Sequence, residues 1–311
     1  MPDGFLHDHP DFKDLLETVS RDEKINEPSL VEKDYWIMHA LWGLTEQPFN
    51  FELKGGTSLS KGYQLIHRFS EDIDIRIDPP KRMTVKVGRN QNDLKHVDSR
   101  RDYFDWLAEE ISIPGIVDVV RDTTFDDKKC RNGGIRLKYE SHFSPIKALK
   151  DGILLEVGFD QTKPNDPLEI SSWAYERGAT VLVDLIDNRA IDIKCYLPEY
   201  TFVEKIQTVV KNYRQFKETG TMKPNFLRHY YDIYMLLKCK RVINFIGTAA
   251  YHKHKDARIK GKDKAFGIRP AFEIMESQFE KEYERTKGIY YSGQIELSDI
   301  IKGIKPFLDQ L

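Results

Sequence analysis

Residues 49–80, FNFELKGGTSLSKGYQLIHRFSEDIDIRIDPP, change apolar period twice, and few folds accommodate such a run. Phe51 and Leu53 alternate with polar partners until Gly55-Gly56 break the pattern. Leu59, Tyr63 and Ile66 follow at helical spacing, predicting a helix of about three turns. Beyond Arg68 the period becomes two: Ile73, Ile75 and Ile77 alternate with Asp72, Asp74 and Arg76. The isoleucines then face a core while the two aspartates share the opposite face, about 7 Å apart. Carboxylates held this way can grip divalent cations. Paired glycines let backbone N–H groups meet a phosphate at a helix start. An Asp-Ile-Asp alternation alone also suits a half-solvated strand. Here a glycine turn, a helix and an acidic strand occur within 20 residues, which sets both devices at one end of a sheet.

With 311 residues, 40% hydrophobic and 32% charged, the chain has the makings of a soluble protein of one large domain or two lobes. No apolar run reaches membrane-spanning length, and the start MPDGFLHDHPDFKDLLETV lacks the apolar core of a signal peptide. Cys130, Cys195 and Cys239 form no CxxC and read as thiols of a reducing cytoplasm. His7 and His9 fall at an end expected to fray. The net charge of −2 excludes a uniformly basic nucleic-acid binder. Residues 81–101 and 251–269 nonetheless each carry seven Lys/Arg against two Asp, and residues 205–217 carry four with no acid. Such runs are either solvated faces or the footprint of a polyanion.

Residues 12–19 and a longer stretch from Glu27-Pro28-Ser29 to Leu44 read as helices. Glu32-Lys33-Asp34 in the second is expected at the surface. Residues 81–100 read as a mobile basic loop and 101–111 as a helix. Strands are expected at 116–121, 135–139 and 152–160, the last carrying Glu156 between Leu155 and Val157. From Pro198 onward helices are expected at 199–217, 225–237, 243–252, 270–286 and 295–311. A Lys-rich loop at 251–269 separates two of them. The boundary near 197 divides a mixed lobe, 1–197, from a helical lobe, 198–311, with a site expected between them.

KGGTSLSKGY followed by RFSEDIDIRI closely resembles the AbiEii/AbiGii-type nucleotidyltransferase toxins of toxin–antitoxin and phage-defence systems, within the DNA polymerase β superfamily. VEKDYW at residues 31–36, FVEKI at 202–206 and RHYYDIY at 228–234 match the same family, so the resemblance covers residues 28–240. It implies an α+β fold, a polymerase β-type mixed sheet with flanking helices followed by a helical C-terminal lobe. It also implies nucleotidyl transfer with two Mg²⁺ ions on Asp72, Asp74 and a third carboxylate from a later strand, for which Glu156 is the candidate. Gly55 and Gly56 are then expected at the triphosphate. Thr57 and Ser58 either donate hydroxyls there or cap the helix. Ser70 lies close enough to Asp72 to meet the phosphates or a metal-bound water. Lys61 and Arg68 are phosphate-clamp candidates or ordinary surface cations. The resemblance makes Lys205 a catalytic residue over the β- and γ-phosphates and Asp232 its orienting acid. From spacing alone, Lys205 is a surface salt-bridge residue and Asp232 pairs with Arg228 one turn away.

The expected function is Mg²⁺-dependent transfer of NMP from an NTP to an RNA acceptor, the tRNA 3′ end being the acceptor that relatives suggest, in a cytoplasmic toxin with a cognate antitoxin. Two alternatives stay open: transfer to protein hydroxyls or a small molecule, and a non-catalytic nucleotide-binding partner of a defence complex. The intact Asp72-Ile73-Asp74 speaks against the last.

Overall fold

In the computed structural model, which describes residues 4–25, 27–144, 149–274 and 277–311, both alternating runs are strands, β1 (Phe51–Lys54) and β2 (Asp72–Ile77). They pair antiparallel, Lys54 opposite Asp74, so the chain leaving β1 turns away beside the start of β2. Five more strands complete a mixed sheet: β3 (Ile116–Asp122), β4 (Asn132–Tyr139), β5 (Ile153–Gly158), β6 (Asn165–Ile170) and β7 (Ala190–Tyr196). Their order is β3-β4-β5-β2-β1-β7-β6, with β2–β5 and β1–β7 parallel and the other pairs antiparallel. Ile73, Ile75 and Ile77 are buried, as the alternation requires.

Helices α1 (Phe12–Asp22), α2 (Pro28–Thr45), α4 (Leu94–Glu110) and α5 (Trp173–Val181) flank this sheet, with the single turn α3 (Gly55–Thr57) next to β2. Pro28 sits at the first position of α2, where its missing N–H costs nothing. Every residue of α2 from 30 to 41 is buried, so the helix has no polar face, and it packs against β2, β5 and β7.

The chain forms two units, Met1–Gly62 with Ser70–Tyr196, and Tyr63–Phe69 with Leu197–Leu311. The second is helical: α6 (Pro198–Thr219), α7 (Arg228–Leu236), α8 (Lys240–Phe245), α9 (Ala249–Arg258), α10 (Gly261–Phe266), α11 (Ser277–Glu284) and α12 (Leu297–Ile304). Helix α6 is its hub, packing on α7, α8, α9 and α10, and ends at Gly220 in the left-handed conformation. Among the described residues no helix is long and apolar enough to cross a membrane.

Several expectations from the sequence are corrected. The helix read through Leu59, Tyr63 and Ile66 stops at Gly62 after a widened turn, Ser58–Gly62, because Tyr63–Phe69 belongs to the second unit. Ile66 is buried there without being helical. The basic stretch at 81–100 is not all loop: α4 starts at Leu94, and Arg100 is buried, its guanidinium spent on the carbonyls of Lys129, Lys86 and Gln91. Strands β6 and β7 and helix α5 carry no expectation, since Pro167 and the exposed Ile191 blur their periods. The helix expected at 243–252 is two, broken at Gly247, and most of 251–269 is helix rather than loop. The helix expected at 270–286 is a short 3₁₀ turn, Arg269–Phe272, and α11, with residues 275–276 outside the described ones.

His7 is ordered rather than frayed: its ring packs on Trp36 and hydrogen-bonds the Tyr35 hydroxyl at 2.8 Å. His39, in the same cluster, sits between the Pro114 carbonyl at 2.9 Å and the Asn188 amide at 3.0 Å. One ring nitrogen donates and the other accepts, which is the neutral imidazole. Burial lowers its pKa from 6.5 to about 4. The unfolded chain therefore takes up a proton below about pH 6.5 that the folded chain refuses until about pH 4. The stability contributed by neutral His39 is full above that window and declines as pH falls through it. In urea unfolding at pH 7, 6 and 5, His39→Gln should flatten the decline by up to about 1.4 kcal/mol per pH unit. Parallel slopes in the two proteins would remove His39 from the acid response.

Candidate active site

Asp74 and Glu156 are register partners on the parallel strands β2 and β5, and Asp72 lies opposite Leu154 one step earlier. The pleat puts Asp72, Asp74 and Glu156 on one face of adjacent strands. Crowding shows in their protonation: Asp74, then burial, then Asp72 raise the Glu156 carboxyl to about 8. Burial likewise raises Asp72, against the pull of Lys150. Among the described residues no group of three or more acidic, histidine or cysteine side chains is arranged to hold a metal ion. The oxygen donors themselves are hard, two carboxylates on β2 and one on β5, with the Lys150 ammonium against Asp72. That suits Mg²⁺, which takes one or two carboxylates and completes its shell with water and phosphate.

Gly55 leaves β1 at φ +76°, and a Cβ there would overlap the Asp74 carboxylate. Only glycine permits both the backbone angle and so close an approach. Gly56 is buried behind it. The hydroxyls that follow face inward. Thr57 donates to the Asp72 carbonyl at 2.5 Å, tying the turn to β2, and the fully buried Ser58 lies beside Cys195. Neither caps the helix, whose N-cap is Lys54. Ser70 is half-buried ahead of β2.

The charges of VEKDYW are buried, not on the surface as expected. Glu32 accepts from the Ser141 hydroxyl at 2.5 Å and the His142 amide at 2.8 Å. Lys33 donates to the Lys150 carbonyl and lies 3.6 Å from Glu71. Asp34 takes Lys61 Nζ at 2.7 Å and the Trp173 amide at 3.0 Å, and the same ammonium sits 3.8 Å from the centre of the Trp173 ring. Lys61, one of the two clamp candidates, is therefore committed inside the first unit.

In the second unit Arg68 is fully buried and forks onto Asp232, Nε at 2.7 Å and Nη2 at 2.8 Å. Lys205 Nζ reaches the same carboxylate at 2.9 Å and His229 Nδ1 at 3.4 Å. Burial pushes the Asp232 carboxyl up, but Arg68 and Lys205 overcome it and hold it well below the ordinary range. Burial lowers Lys205, and burial with Lys205 takes His229 to about 3. Asp232 thus joins Lys205, while Arg228, its expected i,i+4 partner, has a buried Nε with no hydrogen bond.

Sequence reasoning missed Lys150, Glu71 and Lys33. Lys150 Nζ bonds both Asp72 oxygens, at 2.8 and 2.9 Å, from just ahead of β5. No spacing announces it, because the pairing depends on β5 lying parallel beside β2.

Gly55→Ala should cost about 1–3 kcal/mol of stability and cut transfer at least ~100-fold, since it strains the turn and displaces Asp74. Gly220→Ala is the control: its φ is +70°, with nothing within 4 Å of the added methyl. It should cost about 1 kcal/mol and leave transfer intact. Full transfer by a folded Gly55→Ala protein would show that the close approach is dispensable.

No curated protein and no solved structure matches the chain. A family model does, the nucleotidyl transferase AbiEii toxin of type IV toxin–antitoxin systems, over residues 41–297. That span takes in the glycine turn, the three carboxylates and both helices that carry Lys205 and Asp232. The chain belongs to the AbiEii nucleotidyl transferase toxin family.

Proposed function

We propose that the chain moves a nucleoside monophosphate from a nucleoside triphosphate to a hydroxyl of RNA, the 3′ end of a transfer RNA, using two Mg²⁺ ions held by Asp72 and Asp74. The observation that carries this reading is the meeting of Gly55 with Asp74 beside two further carboxylates. Backbone N–H groups of Gly55 and Gly56 take the triphosphate, and Ser70 adds a hydroxyl at its edge. Glu156 positions the attacking hydroxyl or completes the second ion's shell. Asp72 and Asp74 would hold the ions, which when bound would supply activation of that hydroxyl and charge stabilisation at the leaving pyrophosphate oxygen. Lys205, oriented by Asp232, supplies a cation for the β- and γ-phosphates. Lys61 and Arg68 are further phosphate-clamp candidates; like Lys205 they are paired with acids in this structure, Lys61 with Asp34 and Arg68 with Asp232. The reaction belongs to the cytoplasm, where nucleotides and transfer RNA are abundant, and the type IV assignment brings with it a cognate antitoxin.

Asp72→Asn and Asp74→Asn should each lower transfer at least ~100-fold with the fold retained, because the lost charge acts chiefly in the transition state. Purified protein, Mg²⁺, each labelled nucleotide and either total RNA or protein extract make the assay. Near-full rate in either folded variant refutes the metal assignment. Label entering protein in place of RNA refutes the acceptor.

RNA needs basic surface, and 251–269 supplies it in altered form. Tyr251 is fully buried, its hydroxyl on the Leu311 carbonyl, so it cannot stack on a base. Lys255 reaches the same carbonyl, Arg258 pairs with Glu204, and Lys264 pairs with Asp256. Lys253, Lys260 and Lys262 are exposed. Changing these three to Gln should weaken RNA affinity across sequences. It should also flatten the log–log salt slope by roughly 0.7–0.9 for each phosphate that is no longer neutralised. Coincident salt lines for wild type and triple variant would take this surface out of the RNA path.

A further inference from the structure

Lys150 is held in place more firmly than a surface lysine has reason to be. Its backbone N–H donates to Glu71 Oε2 at 2.8 Å, and its carbonyl accepts from Lys33 Nζ. Glu71 and Lys33 are themselves 7% and 4% exposed, so two charges are kept out of water to bracket one peptide unit. Burying such a pair costs desolvation energy that apolar side chains would not incur. The bracket aims the Lys150 ammonium at Asp72, where it covers both carboxylate oxygens. The Phe125 ring, 5.1 Å from Nζ to its centre, backs it on another side. The Lys150 side chain is still 32% exposed against 10% for Asp72, so the ammonium can leave without unpacking the core.

A cation approaching Asp72 therefore meets an oxygen pair that is already neutralised. We propose that Lys150 is a resident counterion of the site. It holds Asp72 until a triphosphate arrives, then moves to the phosphates and gives up the carboxylate, so that metal and nucleotide bind conditionally on one another. This rests on the reading of Asp72 and Asp74 as cation ligands. Three carboxylates facing one another without such an ammonium would collect divalent ions in the absence of substrate. With it, the Asp72 charge is already offset in the free protein, and the negative charge of the nucleotide tips the exchange. Coupling of this kind is reciprocal: whatever nucleotide does for metal affinity, metal does for nucleotide affinity.

Mn²⁺ binding, followed by the loss of free-ion electron paramagnetic resonance signal, tests this without turnover. Wild type should bind Mn²⁺ weakly alone and more tightly with a non-transferable triphosphate analogue. In Lys150→Met the affinity without analogue should rise roughly tenfold, and the gain on adding analogue should shrink. Lys150→Arg keeps the charge and should stay near wild type. Lys150→Gln gives the same readout as the methionine variant should that one fail to fold. Unchanged or weaker Mn²⁺ affinity in folded Lys150→Met or Lys150→Gln overturns the proposal, provided Asp72→Asn loses Mn²⁺ binding. If Asp72→Asn binds Mn²⁺ as wild type does, the cation reading of the site falls, and this inference with it.

Discussion

Glu32, Lys33 and Asp34 leave water at adjacent positions of a helix buried on all sides, and a charge so placed must find a partner or be neutralised. Three successive residues of a helix point in three directions, about 100° apart. Each charge therefore reaches a different part of the first unit: Glu32 the chain at Ser141 and His142, Lys33 the Glu71–Lys150 bracket, Asp34 the Lys61–Trp173 pair. The helix acts as a hub from which three otherwise irregular segments are tied. Two of the three ties end next to residues of the site. Lys61 closes the turn that opens at Gly55, and Lys33 fixes the peptide that carries Lys150.

The second constraint is carboxylate crowding. Asp72 and Asp74 on β2 and Glu156 on β5 are brought together by strand register, a property of the backbone that no side chain can evade. The Lys150 ammonium relieves part of their mutual repulsion, yet Asp74, burial and Asp72 still raise the Glu156 carboxyl to about 8. The other buried charge cluster has the opposite balance. Arg68 and Lys205 share the single acid Asp232, with Arg228 close by and His229 held neutral. One cluster has carboxylates in excess and the other cations in excess.

What the sequence discloses follows from how local each signal is. The isoleucine alternation, the glycine break and the acids of β2 lie within one short stretch, and their placement is readable by period alone. Glu156 is legible as an acid in an apolar strand, though its partnership with Asp74 requires the family resemblance. The buried state of Glu32-Lys33-Asp34 is not legible, because charged residues in a helix ordinarily mean solvent and their partners lie far along the chain. The burial of Arg68 is not legible for the same reason: its carboxylate partner Asp232 is 164 residues away. Strand β7 hides behind Ile191 and Asp192, which are exposed where alternation predicts one of each kind.

The seven residues Tyr63–Phe69 separate the glycine turn from the acidic strand, yet they are built into the helical unit. His67 donates to the Tyr231 hydroxyl, Phe69 to the Ile289 carbonyl, and Arg68 supplies the guanidinium that Asp232 needs. During synthesis this strap emerges long before the helices that receive it. Until α7 and residue 289 have left the ribosome, its apolar side chains and its arginine have no home, and Gly55 and Asp72 are joined by a slack loop. A chain truncated before α7 therefore keeps the two central strands of its sheet but leaves the connection between them unbraced.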